Sequence, residues 1–393
     1  MNRMPVRPEN VHQATLLRLL RDGNRSRAEL GDVVELSRSK LNLELDRLIE
    51  MDLVEQAGLA ASRGGRRSGM VRLSSHLRFA GIDVGATSVD VAVTNGELEV
   101  LGHLAEASDV REGPAAVLDR ATGLLDKLRD EGLFTQLHGA GVGVPGPVSF
   151  REGVPVAPPI MPGWDRYPVR EAISQKLGCP AMVDNDVNLM ALGELHAGLA
   201  KQVDDFLLVK IGTGIGCGIV VDGRIYRGVS GSAGDIGHIR VDDQGPTCTC
   251  GNTGCLEAYF GGAALAREAV RIAPRSPHLA ERLTLAGALT AQDVAAAATF
   301  GDAAALHLIR DGGRQMGQVL AGLVSFFNPG LVIIAGGVAS LGHVLLAEIR
   351  SVVYRRSLPL ATGNLPIVLS ELGDTAGVIG GARLISDHVF SAS

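Results

Sequence analysis

The stretch FAGIDVGATS at residues 79–88 and the stretch FLLVKIGTGIG at residues 206–216 decide the fold. Each is an apolar run that ends in a loop containing Gly and Thr, and a second apolar run follows at residues 89–93 and 217–221. The dipeptides Asn95-Gly96 and Asp222-Gly223 come next, and we expect the first to be a two-residue hairpin turn into a strand at residues 97–101. The same order of apolar run, glycine loop, apolar run and turn occurs twice, which predicts an internal duplication.

Both loops have the composition of phosphate-binding turns. Glycine lets backbone N–H groups approach phosphate oxygens closely, and oriented N–H groups form an anion-binding concavity. Two such loops on matching hairpins that face a cleft predict a nucleotide clamp. The alternative is that both loops are ordinary tight hairpins.

A cluster of polar residues follows a predicted strand at residues 181–183. It reads Asp184-Asn185-Asp186-Val187-Asn188 and precedes a helix. Ligands of open α/β sheets lie at the carboxyl ends of strands. A carboxylate placed there can accept the proton of a hydroxyl that attacks a γ-phosphate. The same residue types also favour helix N-termini, so the residues alone support a catalytic base and a capping cluster equally.

The five cysteines are unevenly spread. Three of them, Cys248, Cys250 and Cys255, lie within one short glycine-containing segment, and His238 precedes it. One His and three Cys predict a closed, structural Zn²⁺ site, with buried free thiols as the alternative. Cys179 and Cys217 lie outside the cluster and are expected to be small buried apolar residues. The odd number and the clustering favour a cytosolic metal site over a disulfide framework.

The first 76 residues differ in charge from the rest of the chain. They carry 13 Lys and Arg against 10 Asp and Glu, whereas the remainder carries 24 against 33. A leucine-rich segment at residues 16–20 predicts a first helix. Ser26 with Glu29 has the spacing of a capping box for a second helix, and Ser37 is suited to capping a third.

Two strands, at residues 53–57 and 70–73, are predicted around a basic tip at residues 62–67. Three helices and such a tip predict a winged helix-turn-helix, whose last helix enters the DNA major groove. The predicted DNA contacts are Arg38, Ser39, Lys40 and Asn42 on the third helix and Arg63, Arg66 and Arg67 in the wing. The alternative is a helical packing or dimerisation module with a solvated charged surface.

The composition excludes a disordered chain, since 46% of the 393 residues are hydrophobic and 20% are charged. No secretory leader is expected, because charges recur from Arg3 to Arg27. The long uncharged run at residues 319–342 contains Asn328-Pro329-Gly330, and it predicts a buried helix, a turn and a short strand at residues 331–335. We therefore expect a cytoplasmic protein that does not associate with membranes.

With these motifs the chain resembles the ROK family, which groups bacterial sugar kinases and sugar-responsive repressors in the actin/hexokinase-like superfamily. The resemblance covers about residues 79–388, and the repressor branch adds a winged helix like residues 1–76. It implies an α/β fold with a winged helix-turn-helix at residues 1–76 and a two-lobed, RNase H-like core. The implied small lobe spans residues 77–196 and is joined by a C-terminal helix at about 372–393, and the large lobe spans residues 197–371 with the zinc site.

The resemblance also implies roles for individual residues. Phosphate or ATP binding is implied for Asp83, Gly85, Thr87, Gly212, Thr213, Gly214, Gly336 and Gly337. Sugar binding is implied for Asn185, Asp186, Asp235, His238 and Glu257. Asp186 matches the catalytic base of the kinases, as an actual or a vestigial group, and His238 would join the metal to the sugar site.

Two positions depart from the kinase pattern. Asp235 stands where the kinases have Glu in the motif Glu-x-Gly-His, and Ile160, or else Pro159, aligns with an Asn. Both departures concern sugar recognition and leave the phosphate loops intact. We therefore expect phosphorylation of common hexoses to be undetectable or very slow, because phosphoryl transfer depends on accurate placement of the attacking hydroxyl.

The predicted function is a sugar-responsive transcriptional regulator, most simply a repressor with structural Zn²⁺. It would bind operator DNA as a homo-oligomer, a dimer or a tetramer, and would release the DNA on binding a sugar or sugar derivative. The alternative is an active ATP-dependent sugar kinase that uses ATP and Mg²⁺ and carries an appended DNA-binding domain.

Overall fold

The structure is a computed structural model that describes residues 7–59 and 69–392. The chain forms two compact units. The first comprises residues 1–156, 163–192 and 377–393, and the second comprises residues 157–162 and 193–376.

The N-terminal part of the first unit consists of three helices and a small antiparallel sheet. Its elements are α1 (Val11–Arg21), β1 (Arg25–Ser26), α2 (Arg27–Val34), α3 (Arg38–Glu50), β2 (Val54–Leu59) and β3 (Gly69–Leu73), with strand order β1-β3-β2. The predicted caps are confirmed: Ser26 and Glu29 form a capping box on α2, and the Ser37 side chain accepts from the backbone N–H of Lys40 at the start of α3. This is the architecture of a winged helix-turn-helix.

The rest of the first unit is built on a five-stranded sheet. Its elements, with a helix that continues into the second unit, are β4 (Phe79–Val84), β5 (Ser88–Thr94), β6 (Val100–Ala107), α4 (Pro114–Asp130), β7 (Gly139–Val144), β8 (Val148–Ser149), β9 (Val154–Pro155), α5 (Val169–Leu177), β10 (Ala181–Asn185) and α6 (Asp186–Ala197). The strand order is β10-β7-β4-β5-β6, in which β4, β5 and β6 are antiparallel and β4, β7 and β10 are parallel.

The second unit repeats this topology. Its elements, followed by the helix that returns to the first unit, are β11 (Phe206–Ile211), β12 (Ile215–Val221), β13 (Arg224–Ile225), α7 (Leu256–Phe260), α8 (Gly262–Ile272), α9 (Pro277–Ala286), α10 (Ala291–Thr299), α11 (Ala303–Phe327), β14 (Leu331–Ala335), α12 (Gly342–Arg356), α13 (Pro359–Thr362), β15 (Ile367–Leu369) and α14 (Thr375–Val389). The order β13-β12-β11-β14-β15 places an antiparallel meander beside two parallel strands, as in the first sheet. The predicted duplication is confirmed, and the fold is the two-lobed α/β class.

The predicted two-residue hairpin at Asn95-Gly96 is wrong. The third strand begins at Val100, and residues 95–99 form a longer loop. The Asn95 side chain accepts from the backbone N–H of Glu99 at 2.9 Å, and Leu98 adopts a left-handed conformation with φ 66°. Leu98 is 3% exposed and packs in the hydrophobic core of the winged helix, so tertiary packing replaces the tight turn that the dipeptide favours.

The long uncharged run folds as predicted. It continues α11, turns at Asn328 with φ 53°, and enters the fully buried strand β14. Within residues 7–59 and 69–392, none of the helices combines the length and the apolar character that a membrane span requires.

The C-terminal helix α14 lies against the first sheet with its backbone almost touching the strands. A Cβ placed on Gly141 of β7 would overlap the carbonyl oxygen of Gly381, and one placed on Gly81 of β4 would overlap that of Val378. Only glycine permits this approach. Beyond the sheet, α14 shares one hydrophobic core with the winged helix, contributed on its side by Ala382, Ile385, Val389 and Phe390.

Candidate functional site

In the first unit, Asp83 and Asp186 approach one another at the carboxyl ends of parallel strands. Asp83 is the penultimate residue of β4 and Asp186 follows β10 as the first residue of α6, where it is 6% exposed. Gly143 of β7 lies between them. A Cβ on Gly143 would lie 3.2 Å from Oδ1 of Asp83 and 3.3 Å from Cα of Asp186. A side chain at this position would therefore crowd both the Asp83 carboxylate and the backbone of Asp186.

The residues around Asp186 also cap α6. The Oδ1 atom of Asn185 accepts from the backbone N–H groups of Val187 (2.9 Å) and Asn188 (3.3 Å), and its Nδ2 donates to the carbonyl of Gly146 at 2.9 Å. The Oδ1 atom of Asp184 accepts from the backbone N–H of Asn185 and from Nδ2 of Asn188. Both interpretations of this cluster are thus compatible with the geometry, since Asn185 and Asp184 serve the helix while Asp186 lies at the strand end near Asp83.

The first glycine loop joins β4 to β5. The backbone N–H of Gly85 donates to the carbonyl of Ser88 at 2.8 Å, which closes the turn, and Thr87 is exposed at its tip. A Cβ on Gly377, in the first turn of α14, would overlap Oδ2 of Asp83. The predicted phosphate residues of this unit are therefore next to the beginning of the C-terminal helix.

The second glycine loop joins β11 to β12 and packs against the N-terminus of α8. The backbone N–H of Gly212 donates to the carbonyl of Gly214 at 2.9 Å, and that of Gly262 donates to the carbonyl of Gly212 at 2.6 Å. Gly336 follows β14 with φ 89°, and a Cβ on it would lie 2.7 Å from the carbonyl oxygen of Ile211. Gly337 comes directly after it, so the structure brings the predicted phosphate residues of the second unit to one end of the sheet.

Glu257 connects this loop to the metal-ligand segment. Its Oε2 accepts from the backbone N–H of Ile215 at 3.0 Å. A Cβ on Gly214 would lie 2.6 Å from that oxygen and one on Gly237 would lie 3.2 Å from it. The carboxylate therefore bonds the loop and lies beside the segment that bears His238.

His238, Cys248, Cys250 and Cys255 form one cluster, and their ligand atoms all lie within 4.8 Å of one another. Nδ1 of His238 is 3.5 Å from Sγ of Cys248, and Sγ of Cys250 is 3.8 Å from Sγ of Cys255. A tetrahedral zinc with Zn–S bonds of about 2.3 Å separates its sulfur ligands by about 3.8 Å. The donor set and its spacing therefore fit a metal ion.

The environment of the cluster also suits a metal. The backbone N–H of Asn252 lowers the pKa of Cys250 to about 7, toward the thiolate form that binds metals, whereas burial raises the pKa of Cys255 to about 12. The other ring nitrogen of His238 lies 3.9 Å from Oδ1 of Asp235. A carboxylate on the far side of a ligand histidine is a common orienting group. Asp235 and Ile160, the two departures from the kinase pattern, both belong to the second unit.

The N-terminal half of α3 presents a polar surface. Arg38, Ser39 and Lys40 are exposed there. Asn42, the fourth predicted base contact, is partly buried and its Oδ1 accepts from Nη1 of Arg27 at 2.8 Å. The predicted wing contacts Arg63, Arg66 and Arg67 lie outside the described residues.

Sequence reasoning missed three residues of this part of the chain. Arg27 and Leu43 border Asn42, and Arg21 joins α1 to α14 through Asp387. The exposed position of Leu43 could have been found, since it lies roughly 200° around the helix from Leu41 and Leu45 at 100° per residue. The partners of Arg21 and Arg27 carry no local signal, because Asp387 is 366 residues distant from Arg21 in the sequence.

Comparison with known proteins gives consistent matches over nearly the whole chain. The ROK family model matches residues 79–388. The xylose repressor of Caldicellulosiruptor bescii is 30% identical over 92% of this chain and 92% of its own, and the glucokinase of Halalkalibacterium halodurans is 34% identical over 79% of this chain and 95% of its own. A crystal structure of a ROK family transcriptional regulator, a homolog of the E. coli MLC protein, superposes with a TM-score of 0.81 at 27% identity and covers 97% of both chains.

Proposed function

The chain belongs to the ROK family, and on that basis we propose that it is a sugar-responsive transcriptional repressor, which binds operator DNA through its winged helix and releases it when a sugar or sugar derivative binds. The relatives named as xylose repressors support repression as the direction of regulation. The proposed effector is a monosaccharide or a derivative of one, and D-xylose and D-glucose are the first probes because relatives are named for them.

The extent of the similarity carries this proposal. The match to the glucokinase covers 79% of this chain, whereas the matches to the xylose repressor and to the regulator structure cover 92% and 97%. A match that covers 92% or more of this chain must include most of residues 1–76, which contain the winged helix. An exposed α3 with two basic residues at its start is the feature that a DNA-binding function needs.

A route from ligand to DNA runs along α14. The helix passes Asp83 at Gly377, crosses the sheet on glycine contacts and ends in the core of the winged helix. We propose that a sugar bound near Asn185 and Asp186 favours one arrangement of α14. Sugar binding is also proposed for Asp235, His238 and Glu257. A ligand can shift this equilibrium only through its different affinity for the two arrangements.

The His and Cys cluster is proposed to hold Zn²⁺ with a structural role. Three thiolates and one imidazole fill a tetrahedral site. Zinc bound there would cross-link the segment that bears His238 to the start of α7. His238 and Asp235 lie on that segment, so metal binding would order part of the proposed sugar site.

Residues 1–76 are proposed to act as the DNA-binding domain, with Arg38, Ser39 and Lys40 near base edges and Arg63, Arg66 and Arg67 on phosphates. We propose a homo-oligomer, since two-fold symmetry presents two recognition helices to a pseudo-palindromic operator. The two lobes of the core are proposed as residues 77–196 with the C-terminal helix and residues 197–371. We also propose a cytoplasmic location, which fits the proposed binding to operator DNA.

A second candidate function is an ATP-dependent sugar kinase. Asp186 lies near Asp83 and both glycine loops are present, which supports Asp186 as a proposed general base and the loops as proposed ligands of ATP with Mg²⁺. The match to glucokinases supports this candidate. Asp235 and Ile160 weigh against it because they replace groups that would position the sugar.

Selection of DNA from a random duplex library with the full-length protein tests the repressor proposal. We expect enrichment of a pseudo-palindromic sequence and a steep salt dependence, with a slope of about −0.9 per phosphate contact. Replacing Arg66 with Ala should weaken binding to all sequences alike and reduce the slope by about one. Absence of any DNA binding at low salt would contradict the proposal.

A further inference from the structure

The middle of α3 carries an apolar side chain on its exposed face. Leu43 is 51% exposed, whereas Leu41, Leu45 and Leu48 of the same helix are at most 2% exposed and form the core. Ser39 and Asp46, one turn to either side of Leu43, are also exposed. An exposed leucine is common on protein surfaces, but this one occupies the centre of the face that a winged helix presents to the major groove.

Asn42, next to Leu43, is held in one orientation by Arg27. Nη1 of Arg27 donates to Oδ1 of Asn42 at 2.8 Å, and Nη2 donates to Oδ1 of Asp46 at 3.2 Å. A guanidinium has only donors, so the amide oxygen of Asn42 must face it. The amide hydrogen that is trans to this oxygen therefore points away from Arg27.

Arg27 is itself firmly placed. It is the first residue of α2, and its side chain is 23% exposed. The preceding residue, Ser26, forms both hydrogen bonds of the capping box: its hydroxyl accepts from the backbone N–H of Glu29 at 3.2 Å, and its backbone N–H donates to Oε2 of Glu29 at 2.8 Å. The orientation of the Asn42 amide is thus set by a hydrogen bond from the first residue of a capped helix.

Asn42 and Leu43 together carry the chemical groups that recognise a single base. An asparagine that recognises adenine uses its oxygen and its nitrogen together, but the oxygen of Asn42 is directed to Arg27. Its N–H groups suit an acceptor, and Leu43 suits an apolar group. Among the bases in the major groove, thymine alone combines an acceptor, O4, with an adjacent apolar group, the C5 methyl.

Building on the proposed DNA-binding function, we propose that Leu43 is a specificity-determining residue that contacts the methyl group of a thymine, with Asn42 donating to O4 of that base. The exposed charged residues of the N-terminal half of α3, Arg38 and Lys40, are both basic, whereas the C-terminal half carries Asp46, Arg47 and Glu50. We therefore expect the N-terminal half of α3 to face the groove. Leu43 is near the C-terminal end of that half. The charges of Arg38 and Lys40 beside it complement DNA and not an apolar protein partner.

The test uses duplexes that the full-length protein selects from a random library. Each thymine of the enriched sequence is replaced in turn by deoxyuridine, which removes the methyl group alone. Wild-type protein should lose about fourfold in affinity at one thymine per half-site, the effect of one buried methyl group. Leu43→Ala should bind the thymine and the deoxyuridine duplexes equally, with helical content unchanged.

Val33→Ala is the matched control, because Val33 is a 55% exposed apolar residue on α2. It should keep the wild-type preference for thymine. Asn42→Asp keeps an oxygen facing Arg27 but removes both N–H donors, and it should weaken binding to the selected duplex by tenfold or more.

Three results would overturn the inference. If Leu43→Ala keeps the wild-type preference for thymine over deoxyuridine at every position, Leu43 does not read the base, although DNA binding stands. If Leu43→Ala instead changes the oligomeric state, the residue belongs to a contact between copies of the chain. If no duplex is enriched and no DNA binds at low salt, the proposed function fails and the inference fails with it.

Discussion

The guanidinium of Arg21, in the first helix of the winged domain, donates to the carboxylate of Asp387, in the C-terminal helix, across 2.6 Å. The same nitrogen lies 3.2 Å from the hydroxyl of Ser386, and Arg383 donates to the other oxygen of Asp387 at 3.0 Å. The Arg21 side chain is 4% exposed and the Asp387 side chain is 38% exposed. The winged helix is thus joined to α14 by charge as well as by the shared apolar core.

We expect this ion pair to make stability depend on pH. Burial acts to raise the pKa of Asp387, but the guanidinium groups of Arg21 and Arg383 outweigh burial and hold it below its usual value. A lowered carboxyl pKa stabilises the folded chain above the ordinary Asp pKa of about 3.9 and loses that contribution as the pH falls further. Asp387→Asn should therefore lower the urea midpoint at pH 7, and the difference from wild type should shrink toward pH 2–3.

Arg21→Met should cost about 2 kcal/mol at pH 7, less than a fully buried pair because Asp387 is partly exposed. The control is Asp119→Asn, which removes a surface pair with Lys176 and should cost less than about 1 kcal/mol. Equal effects of the two substitutions on the urea midpoint would show that the ion pair between α1 and α14 contributes no more to stability than a surface ion pair.

The glycine contacts of α14 give a prediction about packing. Gly141→Ala places a Cβ on the backbone of Gly381, so α14 must move away from the sheet. We expect a loss of several degrees in Tm and faster hydrogen exchange in α1 as well as in α14, because both belong to one core. Gly123→Ala is the control, since nothing lies within 4 Å of a Cβ there. Gly123 is inside α4, and its substitution should stabilise by about 0.5–1 kcal/mol.

The proposed structural metal site leads to a prediction about the zinc content of the protein. The purified protein should contain about one Zn²⁺ per chain, and Cys255→Ser should lower both the zinc content and Tm, because metal binding energy is folding energy in such a site. Cys179→Ser, outside the cluster, should retain the metal. Protein that is free of metal and whose Tm does not respond to a chelator would refute the site.

Catalysis separates the two candidate functions. We expect phosphorylation of D-glucose with ATP and Mg²⁺ to be undetectable or very slow, and Asp235→Glu combined with Ile160→Asn to raise any residual rate. Asp186→Asn should abolish that rate and largely spare DNA binding, because Asp186 lies at the end of β10 and not in the winged helix. Turnover of D-glucose in the usual enzyme range of about 1–10³ s⁻¹ would favour the kinase instead.

Much of this fold could be predicted because its signals are local. The two glycine loops, the Ser26 and Ser37 caps and the Cys cluster each lie in a short segment, and each is in the predicted place. The Asn95-Gly96 turn could not be predicted, because Leu98 packs against the winged helix. The role of Asn42 was also hidden, since its partner Arg27 lies on another helix. Long-range contacts of this kind are set by tertiary packing, which a local pattern does not contain.

The most direct test of the repressor proposal is a titration of a labelled, library-selected duplex with the full-length protein, followed by fluorescence anisotropy with and without each of a panel of monosaccharides that begins with D-xylose and D-glucose. We predict that one sugar weakens DNA binding by tenfold or more, a coupling of about 1.4 kcal/mol, and that the duplex weakens binding of that sugar by the same factor. A sugar that raises Tm while leaving the affinity for DNA unchanged would contradict the account.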